Sequence, residues 1–155
     1  MGNRRRSCFF SAGVHLEERP STHCPTGLAA NEGVFRNIRR YPEAVVPPGM
    51  LLLRVDASLY FANMAFVEDW LRGTLAGRSD VTRIIFDLSG VNDMDAVALA
   101  SLERIIDGYA ERSIAVAFAG MKGPIRDLAE RADWPEKYGR MIGFLSLQQA
   151  VSELQ

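Results

Sequence analysis

Three short, near-continuous apolar runs constrain this 155-residue chain more than anything else in it: residues 50–55 (MLLLRV), 81–88 (VTRIIFDL) and 114–119 (IAVAFA). A strand with one wet face alternates apolar and polar residues, whereas a strand covered on both faces reads as a continuous apolar run. Covered strands need helices to cover them, and the text between the runs supplies helical spacing. Met64, Val67, Trp70, Leu71 and Leu75 form one stripe, and Ala98, Leu102, Ile105, Ile106 and Tyr109 a second. Ile125, Leu128, Ala129 and Ala132 form a third, and Leu147, Ala150, Val151 and Leu154 a fourth. Strands alternating with helical stripes predict an α/β domain: a small, mostly parallel or mixed central sheet of about four to five strands carrying about four helices.

Local signals set the expected boundaries. Asn63 is a candidate cap for the first helix, which ends near Gly77, and Asp95 for the second. Pro124 suits the first turn of the third. Ser146 and Gln149 form an S-x-x-Q capping box for the last. Pro47-Pro48-Gly49 forces a turn before the first long strand, residues 141–145 read as a shorter strand, and residues 34–38 and Tyr60-Phe61 as edge pieces.

The rare residues divide the chain. Both cysteines (Cys8, Cys24) and both histidines (His15, His23) precede residue 34, so residues 34–155 hold no Ser-His-Asp triad, no Cys-His pair and no His or Cys ligand for a metal. Residues 1–33 mix Gly, Pro, Ser, Thr and Asn without a sustained period and read as a poorly ordered leader to a domain over 34–155. Arg4-Arg5-Arg6 imitates the start of a signal peptide, but Ser11 and Gly13 break the apolar stretch behind it. With two thiols in no pattern, the reading is cytoplasmic. The charge balance of 18 Lys+Arg against 19 Asp+Glu gives no basic field for nucleic acid, and no apolar run approaches the ~20 residues needed to span a bilayer.

Ligands of open α/β sheets collect beyond the carboxyl ends of the strands. Acids stand there: Asp56, Asp87, and the loop Ser89-Gly90-Val91-Asn92-Asp93-Met94-Asp95. Asp93-x-Asp95-x-Val97 matches the short D-x-D-x-[TV] pattern of phosphatases with an aspartyl nucleophile, although Gly90 and Asn92 stand where strand should run directly into it. In the competing reading Asp95 caps a helix and Asp93 is solvated. Gly120-Met121-Lys122-Gly123-Pro124 lies between a strand and a helix, which suits either an anion at the helix N-terminus or a tight turn into a Pro-started helix.

Residues 84–99 (IIFDLSGVNDMDAVAL) resemble the signature of STAS domains, the module shared by SulP-family sulfate permeases and bacterial anti-sigma factor antagonists: an apolar strand, D-L-S-G-V, then D-S-[ST]-[GA]. Residues 34–44 (VFRNIRRYPEA), 53–63 (LRVDASLYFAN) and 119–126 (AGMKGPIR) are similar to the permease branch. The resemblance implies a STAS-type fold and a non-enzymatic regulatory and interaction module associated with transport of sulfate or another inorganic anion. It implies a permease membrane domain or another cytosolic protein as partner, and a place in the cytoplasm or at the cytoplasmic face of the inner membrane. Some relatives bind nucleotide, which directs attention to Asp87, the acidic loop and Lys122; no other cofactor is implied. In the antagonists the Ser after the signature Asp is phosphorylated; here Ala96 stands there, so that switch has no acceptor, and a free-standing antagonist-like module would bind constitutively. The expected contact surface is Ser58, Asn63, Asp87, Ser89, Asn92, Asp93, Asp95 and Lys122, with no catalytic residue and no metal ligand among them.

Overall fold

A computed structural model describes residues 46–155 in full, together with the strands His23–Leu28 and Phe35–Asn37. In chain order the elements are β1 (His23–Leu28), β2 (Phe35–Asn37), β3 (Met50–Val55), α1 (Phe61–Leu75), β4 (Arg83–Asp87), α2 (Ala96–Ala110), β5 (Ala115–Ala119), α3 (Gly123–Arg131), α4 (Trp134–Tyr138), a 3-10 turn (Gly139–Ile142) and α5 (Leu147–Leu154). The strands form one sheet in the order β2-β1-β3-β4-β5. β3, β4 and β5 are parallel, Leu53 lying opposite Phe86 and Phe86 opposite Phe118, while β1 runs antiparallel to both β2 and β3.

Burial explains the continuous runs. Leu51, Leu53, Val55, Ile84, Phe86, Val116 and Phe118 pack into a cluster with the stripes of α1, α2 and α3 and with Trp134 of α4. Met50, Leu52, Ile85, Ala117 and Ala119 point the other way, onto Leu147, Ala150, Val151 and Leu154 of α5. Successive residues of a strand face opposite sides, so a sheet clothed by four helices on one face and one on the other needs apolar residues at nearly every position. The core aromatics stack in series: Phe86 on Phe118 at 5.1 Å, Phe118 on Trp134 at 5.3 Å, and Trp134 edge-on to Tyr138 at 5.4 Å.

The structure differs from the sequence expectations in four places. His23–Leu28, inside the expected leader, is strand β1 paired with β3; the rest of residues 1–33, with residues 4–6, Cys8 and His15, lies outside the described residues, as do Val34 and residues 38–45. Tyr60-Phe61 is no edge strand: Leu59 alone makes an isolated parallel bridge to Met94, and Phe61 opens α1. Residues 141–145 make no strand, because the 3-10 turn takes their first part and only Phe144 bridges to Ala119. Asn63 sits in the first turn of α1, after the capping position held by Tyr60. The other caps stand as expected: Asp95 on α2, Pro124 in the first turn of α3, and Ser146 on α5, its Oγ accepting from the Gln149 N–H at 3.1 Å while Gln149 Oε1 accepts from the Leu145 N–H.

Candidate functional site

The two loops that leave the carboxyl ends of β3 and β4 are sewn together. The Leu59 N–H donates to the Asp93 carbonyl at 3.0 Å, and the Asp95 N–H donates to the Leu59 carbonyl at 3.1 Å. What lets them meet is Gly90. A Cβ on it would stand 2.6 Å from both Asp56 Oδ1 and the Val55 carbonyl oxygen, closer than atoms in contact allow, so only glycine lets the β4–α2 loop cross the end of β3. The Leu88 N–H and Ala119 carbonyl hold the same loop to β5, and Gly120, at φ +70°, brings β5's exit against Ser89 and Asp87.

Asp95 is the centre of this arrangement. Its Oδ1 accepts from the Ala98 N–H at 2.6 Å, capping α2, and its Oδ2 accepts from the Phe61 N–H at 3.1 Å, the first residue of α1. One carboxylate therefore serves two helix N-termini, each with unpaired N–H groups and a partial positive charge. Asn63 completes α1's start: its Oδ1 accepts from the Tyr60 N–H at 2.9 Å and its Nδ2 donates to the Ser58 carbonyl at 2.8 Å. Asp93 accepts from the Tyr60 hydroxyl at 2.9 Å and from the Met94 N–H at 2.9 Å.

The structure thus brings Ser58, Asn63, Asp93 and Asp95 together around the starts of α1 and α2. Asn92 and Lys122 form a second pair, the Lys122 ammonium donating to Asn92 Oδ1 at 2.5 Å and linking the β4–α2 loop to the start of α3. Asp87 is buried, and its carboxylate accepts from the Ser89 N–H at 3.0 Å, which shapes the start of the loop. Asp56, outside the expected set, is tied to Arg54 at 2.6 Å. Ala96 is the exposed first residue of α2, beside the Asp95 cap. Among the described residues no three His, Cys, Asp or Glu side chains gather as a metal site would need.

Sequence reasoning missed Tyr60, Phe61 and Val97. Tyr60 is 41% exposed, Phe61 68% and Val97 57%, so three large apolar side chains rim the acidic loop at the two helix starts. Their signal was present but ambiguous, because Tyr60-Phe61 fits an edge strand as well as a helix start and Val97 reads as the last position of the D-x-D-x-[TV] pattern. Removing the Tyr60 hydroxyl (Tyr60→Phe) should cost about 0.5–1 kcal/mol in urea unfolding, since its bond to Asp93 is charge-assisted but partly wet.

A family model for the STAS domain matches residues 41–150. This chain belongs to the STAS domain family. Among curated proteins it is 29% identical over 154 residues to the probable sulfate transporter 4.2 of Arabidopsis thaliana, covering 92% of this chain and 23% of that one. It is 27% identical over 143 residues to the high affinity sulfate transporter 2 of Stylosanthes hamata, covering 86% and 22%. The STAS chain therefore spans less than a quarter of these relatives' length. Its fold is shared with the murine solute carrier 26 family member A9 anion transporter (TM-score 0.75, 17% identity, covering 85% of this chain and 22% of that one). A SulP transporter STAS domain from Vibrio cholerae (TM-score 0.54, 18% identity, 76% and 89%) shares it too, as does an anti-sigma factor antagonist from Thermotoga maritima (0.59, 13%, 68% and 86%). No helix among the described residues is long and apolar enough to cross a membrane.

Proposed function

We propose that this STAS domain is a non-enzymatic regulatory module of inorganic anion transport, acting on a SulP-type permease at the cytoplasmic face of the membrane. Its contact surface is the loop over residues 89–96 with the starts of α1 and α2. The observation that carries this reading is the Asp95 clamp: it fixes two helix starts in one arrangement and leaves Tyr60, Phe61 and Val97 exposed beside Asp93. Exposed aromatic side chains held in one arrangement are frequent anchors of protein interfaces. The sulfate transporters among its relatives support a permease as the partner.

A catalytic role for the Asp93–Asp95 pair is disfavoured by what the oxygens do. All four accept hydrogen bonds from backbone N–H groups or the Tyr60 hydroxyl, which suits a structural clamp better than a nucleophile and its acid–base partner. A free-standing antagonist-like module is the second reading, favoured by the fold shared with the Thermotoga maritima protein. Ala96 offers no hydroxyl for phosphate, so partner binding on that reading is constitutive.

The test is affinity for the membrane region of a SulP permease in detergent, measured with the wild-type chain and with Phe61→Asp and Asp93→Lys. Both positions are exposed; with each variant shown to be folded by its thermal unfolding transition, each substitution should weaken binding at least tenfold. Unchanged affinity in both variants overturns the proposed surface. Capture of a soluble kinase or anti-sigma factor in place of the permease favours the second reading.

A further inference from the structure

Between the outer faces of α1 and α2, away from the acidic loop and independent of the reading above, lies an open cleft of about 280 Å³. Leu71 and Ile105, both buried, lie at its base. Arg72 of α1, Arg104 of α2 and Arg112 of the turn that follows α2 line it, with Glu68 the one acid among the lining residues; Arg72 also donates through Nη1 to Asp69 at 2.8 Å, on the same helix. Arg104 is steadied by Ser101 Oγ at 2.7 Å and by Glu68 at 3.7 Å, both through the same Nη2 nitrogen, so its Nε and Nη1 donors take no part in these two contacts. Arg112 lies 5.4 Å from the centre of the Tyr109 ring, which forms one wall. The Tyr109 hydroxyl registers this convergence: burial raises its pKa, and the charges of Arg112 in the turn after α2 and Arg72 on α1 pull it back.

Gly108 is the second observation. It lies inside α2, where glycine is among the poorest residues, and a Cβ there would meet nothing within 4 Å. Packing does not ask for glycine at this position. Its effect is to bare the backbone of α2 on the cleft, so that a flat group can lie against it beside Tyr109.

We propose that this cleft binds a small organic dianion, a phosphomonoester carried on a flat apolar body. The guanidinium forks of Arg72, Arg104 and Arg112 take the phosphate, and Leu71, Ile105 and bare Gly108 take the body. Three guanidiniums suit a doubly charged, oxygen-rich group because each is a fixed positive charge with several N–H donors in one plane. The apolar base asks for more than a bare inorganic anion.

The test is titration of the full 155-residue chain with phenyl phosphate, inorganic phosphate and benzoate, followed by amide chemical shifts. Phenyl phosphate should give saturable shifts at Gly108 and Tyr109 and bind at least fivefold more tightly than inorganic phosphate or benzoate. Arg104→Ala with Arg112→Ala should weaken it at least tenfold. Gly108→Leu should fill the cleft and abolish the shifts while raising the unfolding temperature, since leucine favours the helix. No saturable shift at these residues, equal affinity for the three probes, or undiminished binding in the arginine or Gly108→Leu variants each overturns the proposal.

Discussion

Replacing Gly90 with alanine should destabilise the domain by about 3 kcal/mol in urea unfolding, the upper range for a side chain forced into filled space. The new methyl would lie 2.6 Å from Asp56 Oδ1 and 2.6 Å from the Val55 carbonyl, with the Asp56 Cα at 2.8 Å. Asp56's carboxylate could swing aside at the loss of its 2.6 Å contact with Arg54, but the Val55 carbonyl belongs to the end of a buried strand and cannot. The β4–α2 loop must therefore lift off β3, and that strains the Leu59–Met94 bridge and the Asp95 clamp together. Gly108→Ala is the control. The same substitution meets open space inside α2, where alanine is preferred over glycine by about 1 kcal/mol, so stability should rise. If both variants lose stability equally, close approach at Gly90 is not what the loop depends on.

The glycine of D-L-S-G-V thus has a physical reason that sequence alone did not supply. The motif was legible as a turn after a strand, but that its glycine faces the end of another strand needs the sheet order. The β3, α2, α3 and α5 expectations held because their signals are local: a continuous apolar run, an Asp or Ser one to three residues before a stripe, a proline in a first turn. β1 was illegible for the opposite reason. Its sequence, HCPTGL, contains Pro25 and Gly27, both depleted in strands, and its pairing partner β3 lies far along the chain. Residues 141–145 read as a strand because Met141, Ile142, Phe144 and Leu145 are apolar. Gly139 and Gly143 bracket a tight turn there, and of the five only Phe144 makes a backbone bridge to the sheet. Among site residues, Asp95 was readable as a cap on α2. Its second bond, to Phe61 34 positions earlier, was not, since nothing local in either segment points to the other.

That second bond sets the remaining large effect. Asp95→Ala should cost about 2–3 kcal/mol, more than the ~1 kcal/mol typical of a lost N-cap, because two helices lose an acceptor and the Phe61 and Ala98 N–H groups are left to water or to nothing. Asparagine separates the two contributions. An Asn caps a helix about as well as Asp, but its side chain has one acceptor oxygen where the carboxylate has two. Asp95→Asn can therefore keep the 2.6 Å bond from Ala98 or the 3.1 Å bond from Phe61, not both, and should lose roughly half as much. Amide hydrogen exchange reads the outcome helix by helix. In Asp95→Asn, protection should fall in the first turn of one helix and persist in the other. In Asp95→Ala both first turns should open, loosening Phe61 and Val97, which flank the clamp, and lowering affinity at the proposed surface with them. If Asp95→Asn proves as costly as Asp95→Ala, the carboxylate acts through its charge on both helix dipoles and the two-acceptor account fails.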